Sequence, residues 1–281
     1  VELPISHASY QPSTAALVRA ARRARLILGR VVGEETALDH AVAITDPRRP
    51  QVAQANFAVD FAANDRGPAA ALALVFDHFD AQGLTCLSID AADVQWDDDA
   101  KLELSRRDYY PATRLLSVWT AQPPGEGAEM DQTRAAGEGD LQIIPARSCY
   151  ADLRVFFADM AQAQDHADAA LAAATAAARI DQLDEPRLEA FVARIDRRVA
   201  GVAGIINLGN LGVLSDVFTL PDARGQGLAA ALMAHLLDHC RRCQFEAVLL
   251  DTPASCPHLD FFQHLGFSPA TSYLQFRKRR G

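Results

Sequence analysis

The chain has 281 residues, enough for two domains of ordinary size. Hydrophobic residues make up 49% and charged residues 22%, which excludes a disordered chain. The formal net charge of −9 argues against non-specific binding to nucleic acid or an anionic membrane, because like charges repel. No apolar run is long enough to cross a bilayer, and no signal-peptide pattern opens the chain. The five cysteines, Cys86, Cys149, Cys240, Cys243 and Cys256, form no disulfide framework. These features predict a soluble, cytoplasmic protein with free thiols and no membrane or nucleic-acid partner.

In chain order, the first punctuated stretch is DPRRPQVAQANF at 46–57. Its prolines and Asn56 predict a defined turn with a structural role. Residues 69–90 read AAALALVFDHFDAQGLTCLSID and follow the pattern of AALMAHLLDHCRRCQFEAVLLD at 230–251. At an offset of 161, Ala69, Ala70, Asp77, His78 and Asp90 fall on Ala230, Ala231, Asp238, His239 and Asp251. Further on, DYYPATRLLSVW (108–119) lines up with GFSPATSYLQFR (266–277) through a shared Pro-Ala-Thr. Each half therefore reads as helix, turn, strand, short helix, turn and final strand, two copies of one fold. Between them, AQPPGEGAEMDQTRAAGEGD (121–140) has two prolines, four glycines and almost no large apolar residue, the composition of a linker. The expected organisation is a domain at 1–122, a linker at 123–140 and a second domain at 141–281.

The second half opens with a strand at 141–146 and helices at 150–164 and 166–183, the latter rich in alanine, the best helix former. Apolar, β-branched runs at 188–196, 200–209 and 212–220, split by Arg-Arg and Gly-Asn turns, predict consecutive antiparallel strands. A helix over about 228–243, a strand at 246–251, a short helix at 258–264 and a last strand at 271–277 complete an α+β arrangement with a mixed, mostly antiparallel sheet.

The chemistry concentrates at PDARGQGLAA, 221–230. A helix start carries unpaired N–H groups and partial positive charge, so it suits an anion. Gly225 and Gly227 let a ligand approach the backbone, Ala229 is small, and Arg224 adds charge. On the loop alone, a phosphate cradle and a plain turn before a helix both stand. The loop also fits Gly-x-Gly-x-x-Ala, a dinucleotide fingerprint, with Asp251 as an acidic residue at a strand end. Against that, only 51 residues follow Ala230 and the preceding strands read as a meander, whereas a dinucleotide fold needs further β-α units. Cys240, Cys243, His235 and His239 have the count of a metal site. Cys240, however, falls on the apolar helix face with Leu232, Met233 and Leu236, where cysteine acts as a small hydrophobe. No metal is expected.

The segment VFTLPDARGQGLAAALMAHLL, followed by FFQHLGF at 261–267, resembles the signature region of the GNAT superfamily of N-acetyltransferases. Its Arg/Gln-x-x-Gly-x-Gly/Ala pattern is matched by Arg224, Gly227 and Ala229, and the likeness runs over about 141–281. With the internal repeat, the chain resembles two tandem GNAT-like domains, the first a degenerate copy. The resemblance implies that Val217, Phe218 and Thr219 pair with the pantetheine arm of acetyl-CoA. It also implies that Arg224, Gly225, Gln226, Gly227, Leu228, Ala229 and Ala230 hold the pyrophosphate. In the first copy, Ala63, Asn64, Arg66 and Pro68 stand at the matching places, and proline has no N–H to offer, so that copy is expected not to bind CoA. The family's frequent acidic strand position falls on Asp216, the candidate base. Its usual tyrosine acid falls on Phe262, which has no proton to donate, and its frequent asparagine falls near Ser255. Tyr273 is a possible substitute acid, and Cys256 with His258 a weaker candidate pair. The implied activity is acetyl transfer to a small-molecule amine bound between the halves; the alternative is a non-catalytic acyl-CoA-binding protein.

Overall fold

The computed structural model of the chain describes residues 12–63, 65, 67–91, 96–120 and 141–279. The expected linker, Asn64, Arg66 and Arg280 lie outside the described residues.

The first half runs α1 (Thr14–Val32), β1 (Glu34–Leu38), β2 (Ala41–Thr45), β3 (Phe57–Phe61), α2 (Pro68–Asp80), β4 (Ser88–Ala91), α3 (Asp98–Arg106) and β5 (Tyr109–Thr120). The second runs β6 (Leu141–Pro145), α4 (Tyr150–Asp165), α5 (Ala169–Gln182), β7 (Leu188–Ile195), β8 (Arg198–Asn207) and β9 (Leu211–Thr219). It continues with α6 (Leu228–Arg242), β10 (Ala247–Pro253), α7 (Leu259–His264) and β11 (Ser268–Lys278). The order from α2 to β5 repeats from α6 to β11. The strands and helices of the second half agree with those predicted, within a few residues at their ends.

The two expected sheets join into one. Among the described residues the order is β1-β2-β3-β4-β11-β5-β10-β9-β8-β7-β6. The last strand of each half has crossed to the other: β11 pairs with β4 of the first half, and β5 pairs with β10 of the second. The two exchanged strands pair with each other over Tyr109↔Lys278 to Val118↔Ser268, with one bulge at Pro269/Thr271. All pairs are antiparallel except β3–β4 and β9–β10.

Side chains alternate across the sheet and so divide the core. In β10, Ala247 and Leu249 face α1, α4 and α5, whereas Val248 and Leu250 face α6 and α7. A third cluster places α2 and α3 on the first half's strands, with Phe61, Ile89 and Phe276 between them. Helix α1 belongs to the first half but buries Leu17, Ala20, Ala21, Ala24 and Ile27 in the second half's core. Its start is capped by Ser13, whose hydroxyl accepts from the Ala16 N–H. The alanines of α5 allow close packing: Ala178 touches the cluster of Val32, Val52 and Ala55. No helix among the described residues is long and apolar enough to cross a membrane.

The turn at 46–57 is built on Asn56, which is fully buried. Its side-chain oxygen accepts from the Asp46 N–H (3.0 Å), and its amide donates to the carbonyls of Arg49 (2.7 Å) and Val52 (3.2 Å). Arg49 then bridges Asp46 (2.7 Å) to Asp181 of α5 (2.8 Å), tying the turn to the second half.

Because β5 completes the second half's sheet, residues 141–281 expressed alone should not form a stable monomer. Adding the 1–140 fragment should restore cooperative unfolding and a one-to-one complex by light scattering. An isolated 141–281 fragment that is monomeric and melts like the full chain would contradict this account of the exchange.

Candidate active site

The site begins with a defect in strand pairing. Strands β9 and β10 are hydrogen-bonded only at Leu211↔Ala247, Gly212↔Val248 and Val213↔Leu249. Beyond that point β9 follows β8 and β10 follows β5, so the facing edges part. A bulge bends β9 there: Ala203 pairs with Val217 and Ile205 with Leu214, leaving Ser215 and Asp216 opposite Gly204. A Cβ at Gly204 would stand 2.4 Å from the Ser215 hydroxyl, which would have to rotate away.

A cleft of about 510 Å³ fills the opening. Val217, Phe218 and Thr219 form one wall, and Arg224, Gly225, Gly227, Leu228, Ala229 and Ala230 close the far end. Gln226 does not line it; its side-chain amide turns to the Asp222 carbonyl (3.5 Å). Gly227 starts α6 at φ +77°, with no capping side chain, so the first N–H groups of α6 have no partner from the cap. Gly225 is at φ +75°, and a Cβ there would meet open space. Arg224 folds back, donating to the Thr219 carbonyl (3.2 Å) with its guanidinium over Phe218. Among the described residues, the buried hydroxyls of Ser215, Thr219 and Thr252 have no hydrogen-bond partner, and all three line the cleft. The expected acid position, Phe262, also lines it and packs against Phe261 and Phe267. Cys256 and His258 are on the rim; Ser255 is not among the lining residues.

A second cavity of about 330 Å³ lies under α1, between the halves. Leu214, Ser215, Asp216 and Asp251 line both cavities, so the two meet where β9 and β10 part. Two carboxylates therefore stand at the junction. Asp216 is ion-paired with Arg179 of α5. Asp251 is held by Arg114 of β5, whose Nε donates to Oδ1 (2.9 Å) and whose second nitrogen donates to the Asp251 carbonyl (2.9 Å). The Tyr273 phenol of β11 donates to Oδ2 (2.8 Å). Burial raises the Asp251 carboxyl above its ordinary range, although Arg114 and Tyr273 pull the other way. Burial, with Asp90 and Asp251 nearby, raises Tyr273 well above an ordinary phenol. Tyr273 is thus bonded to Asp251 and lines the second cavity, not the cleft. The exchanged strands bring these groups together: Arg114 and Asp251 are 137 residues apart in sequence.

Of the four cysteine and histidine candidates on α6 and its C-cap, only Cys243 and His239 are shown in contact (3.5 Å). Cys240 is fully buried and its thiol is pushed up to about 12 by desolvation. Cys243 is exposed, and His239 is paired with Glu189 (2.5 Å). No group of three or more potential ligands among the described residues could hold a metal. In the first half, β3 and β4 pair at Ala58↔Ile89 and again at Phe61↔Ala91, with an irregularity between the two pairs. Trp96 stacks on Phe61 (5.3 Å) and meets Phe276 edge-on (4.6 Å), and α2 begins with Pro68.

Residues 153–267, which hold the parted strands and the glycine loop, match the acetyltransferase (GNAT) family model. The second half of the chain carries a GNAT-family domain. No curated protein matches the chain in sequence. Its fold is similar to that of a functionally unknown conserved protein from Staphylococcus epidermidis ATCC 12228, at 14% identity and a TM-score of 0.61. That likeness covers 89% of this chain and 96% of that one. It is also similar to a GCN5-related N-acetyltransferase from Kribbella flavida, at 15% identity and a TM-score of 0.58, over 96% and 98% of the two chains. A third, from Sphaerobacter thermophilus, is 14% identical with a TM-score of 0.52, over 87% and 84%. Both halves of the GNAT-like architecture are therefore shared with these chains.

The side chains of Arg114 and Asp251 are only 19% and 17% exposed. Arg114→Leu should therefore lower stability by about 3 kcal/mol in urea unfolding, because it strands a buried carboxylate. A loss under about 1 kcal/mol would show that Asp251 does not depend on its countercharge.

Proposed function

We propose that the chain transfers an acetyl group from acetyl-CoA to the amine of a small molecule. The observation that carries this reading is the continuity of the two cavities. The cleft leads from the glycine loop to the parted strands, and the second cavity meets it at Asp216 and Asp251. A thin, extended donor with an anionic end suits the cleft. The loop N–H groups of Gly225 through Ala230 would hold a pyrophosphate. The free edge of β9 at Val217, Phe218 and Thr219, with the unpartnered Thr219 and Thr252 hydroxyls, would take the amides of a pantetheine arm.

The reaction needs the amine nitrogen to attack the thioester carbonyl carbon while the carbon–sulfur bond breaks. One amine proton must leave, and the thiolate gains one. Asp216, on the bulge at the junction, is the proposed proton acceptor, directly or through a water. Its pairing with Arg179 engages one carboxylate oxygen, Oδ1, and leaves the second for the amine or water. N–H groups on the free β9 edge beyond Val213 would polarise the carbonyl. Phe262 has no proton to give, so the departing thiolate takes its proton from water. Most of the rate then comes from holding both reactants at the junction. The first half is read as lacking a CoA cradle. Pro68 removes an N–H at the start of α2, β3 and β4 pair again at Phe61↔Ala91, and Trp96 stacks on Phe61 there.

Calorimetric titration tests this reading, with acetyl-CoA beside NADH and ATP. The wild type should bind acetyl-CoA alone, and Gly227→Trp should abolish binding. With an accepted amine, Asp216→Asn should lower kcat by about 10²–10⁴-fold in a thiol-release assay and leave the acetyl-CoA affinity within twofold. Acetyl-CoA binding with no thiol release for any amine would favour a non-catalytic acyl-CoA-binding protein instead.

A further inference from the structure

The cavity under α1 has an unbalanced charge at the end away from the junction. Strand alternation puts Tyr273, Gln275 and Arg277 of β11 on the cavity face, and all three line it. Leu274 and Phe276 point to the opposite core. Tyr273 marks the junction through its bond to Asp251. Arg277 lies four residues further along, about 13 Å at the rise of a β-strand.

Four arginines line this cavity: Arg25, Arg114, Arg179 and Arg277. Three are neutralised. Arg114 holds Asp251, Arg179 holds Asp216, and Arg25 holds Asp90 (2.5 Å). Arg277 has no ion pair or hydrogen bond among the described residues. Its register partners are Ser88 on β4 and Tyr110 on β5. Arg25 reaches the same Ser88, donating to its hydroxyl (2.5 Å). Both arginines thus stand at the Ser88 position of the cavity wall, where Arg25 is paired with one carboxylate. That carboxylate, Asp90, is fully buried, and its other oxygen accepts from Gln275 (2.6 Å). Both of its oxygens are engaged, which leaves Arg277 without a counter-ion. A half-buried guanidinium beside another cation is unfavourable unless an anion sits between them.

We propose that this cavity takes an amine that also carries a carboxylate, with the amine at the junction and the carboxylate on Arg277 and Arg25. The proposal rests on reading the cavity as the acceptor site. The reaction end is balanced, two carboxylates against two guanidiniums, and the far end carries one excess positive charge. An amino carboxylate completes that pattern. A simple alkylamine leaves Arg277 unpaired, and a diamine sets like charges together. The flat, forked donor set of a guanidinium matches the two oxygens of a carboxylate.

The test is ligand-observed NMR titration of the full chain with saturating CoA. The probes are 4-aminobutanoate and 6-aminohexanoate, each beside its amino alcohol, which has the same length and no charge at the far end. For the wild type, at least one carboxylate should bind ten times tighter than its alcohol, and the preference should weaken as salt rises. In Arg277→Gln it should fall to within twofold; in Arg277→Lys a part should remain. Matched melting temperatures and acetyl-CoA affinities of the variants guard against misfolding. Equal binding of acid and alcohol by the wild type, a preference that survives in Arg277→Gln, or no binding of any probe would overturn the proposal. Acetyl-CoA binding is measured by calorimetry on the same preparations before CoA is added. Its absence in the wild type sinks the transferase reading, whereas its presence with no carboxylate preference sinks this proposal alone.

Discussion

The molecule depends on the exchange of its two final strands. Strand β5 lies between β10 and β11, and β11 lies between β4 and β5. Neither half can close its sheet alone, because its own last strand is in the other half. One sheet therefore runs through the whole chain, and a hydrogen-bonded ladder replaces what would have been a domain interface. An edge left open at β10 or β4 would expose a row of unpaired backbone groups, the usual template for aggregation. The exchange also explains α1, which crosses from the first half to seal the centre of the joint sheet and bury its alanines in the second half's core.

The functional geometry follows from the same constraint. Strand β10 is held along its length by β5, from Ala247↔Thr120 to Pro253↔Arg114, so it cannot follow β9 when the bulge at Ser215 and Asp216 bends that strand away. The gap is the cleft. On the other side of the junction, β5 supplies Arg114 and β11 supplies Tyr273, both directed at Asp251. One half brings the cleft, and the other helps to build the pocket that meets it. A carboxylate buried beside a guanidinium and a phenol has its position fixed by two hydrogen bonds, with a third from Arg114 to the Asp251 backbone carbonyl, which suits a reaction that needs close alignment more than it needs strong acids or bases.

Much of this was legible in the sequence where the signal is local. The apolar spacing at 150–164 and 228–243 gives helices α4 and α6, the β-branched runs give β7, β8 and β9, and the glycines mark the start of α6. The repeat was visible in Pro-Ala-Thr, but not the exchange. DYYPATRLLSVW and GFSPATSYLQFR read as equivalents, and they are in fact neighbours that pair with each other. Pairing between distant strands leaves no local mark, because both registers bury the same alternating residues. The junction was missed for the same reason. In sequence Asp251 is marked only as the repeat equivalent of Asp90 and as the acid of a rival fingerprint, and nothing near Arg114 points to it. Arg179 was hidden in an alanine-rich helix whose only evident property was helix propensity.

The central claim is that acetyl-CoA occupies the gap between β9 and β10. Hydrogen exchange followed by mass spectrometry, with and without saturating acetyl-CoA, tests it most directly. The account expects slowed exchange at 214–219 and 225–230, where edge and loop N–H groups gain partners, and little change across β1 to β4. Protection elsewhere with these two segments unchanged would contradict it.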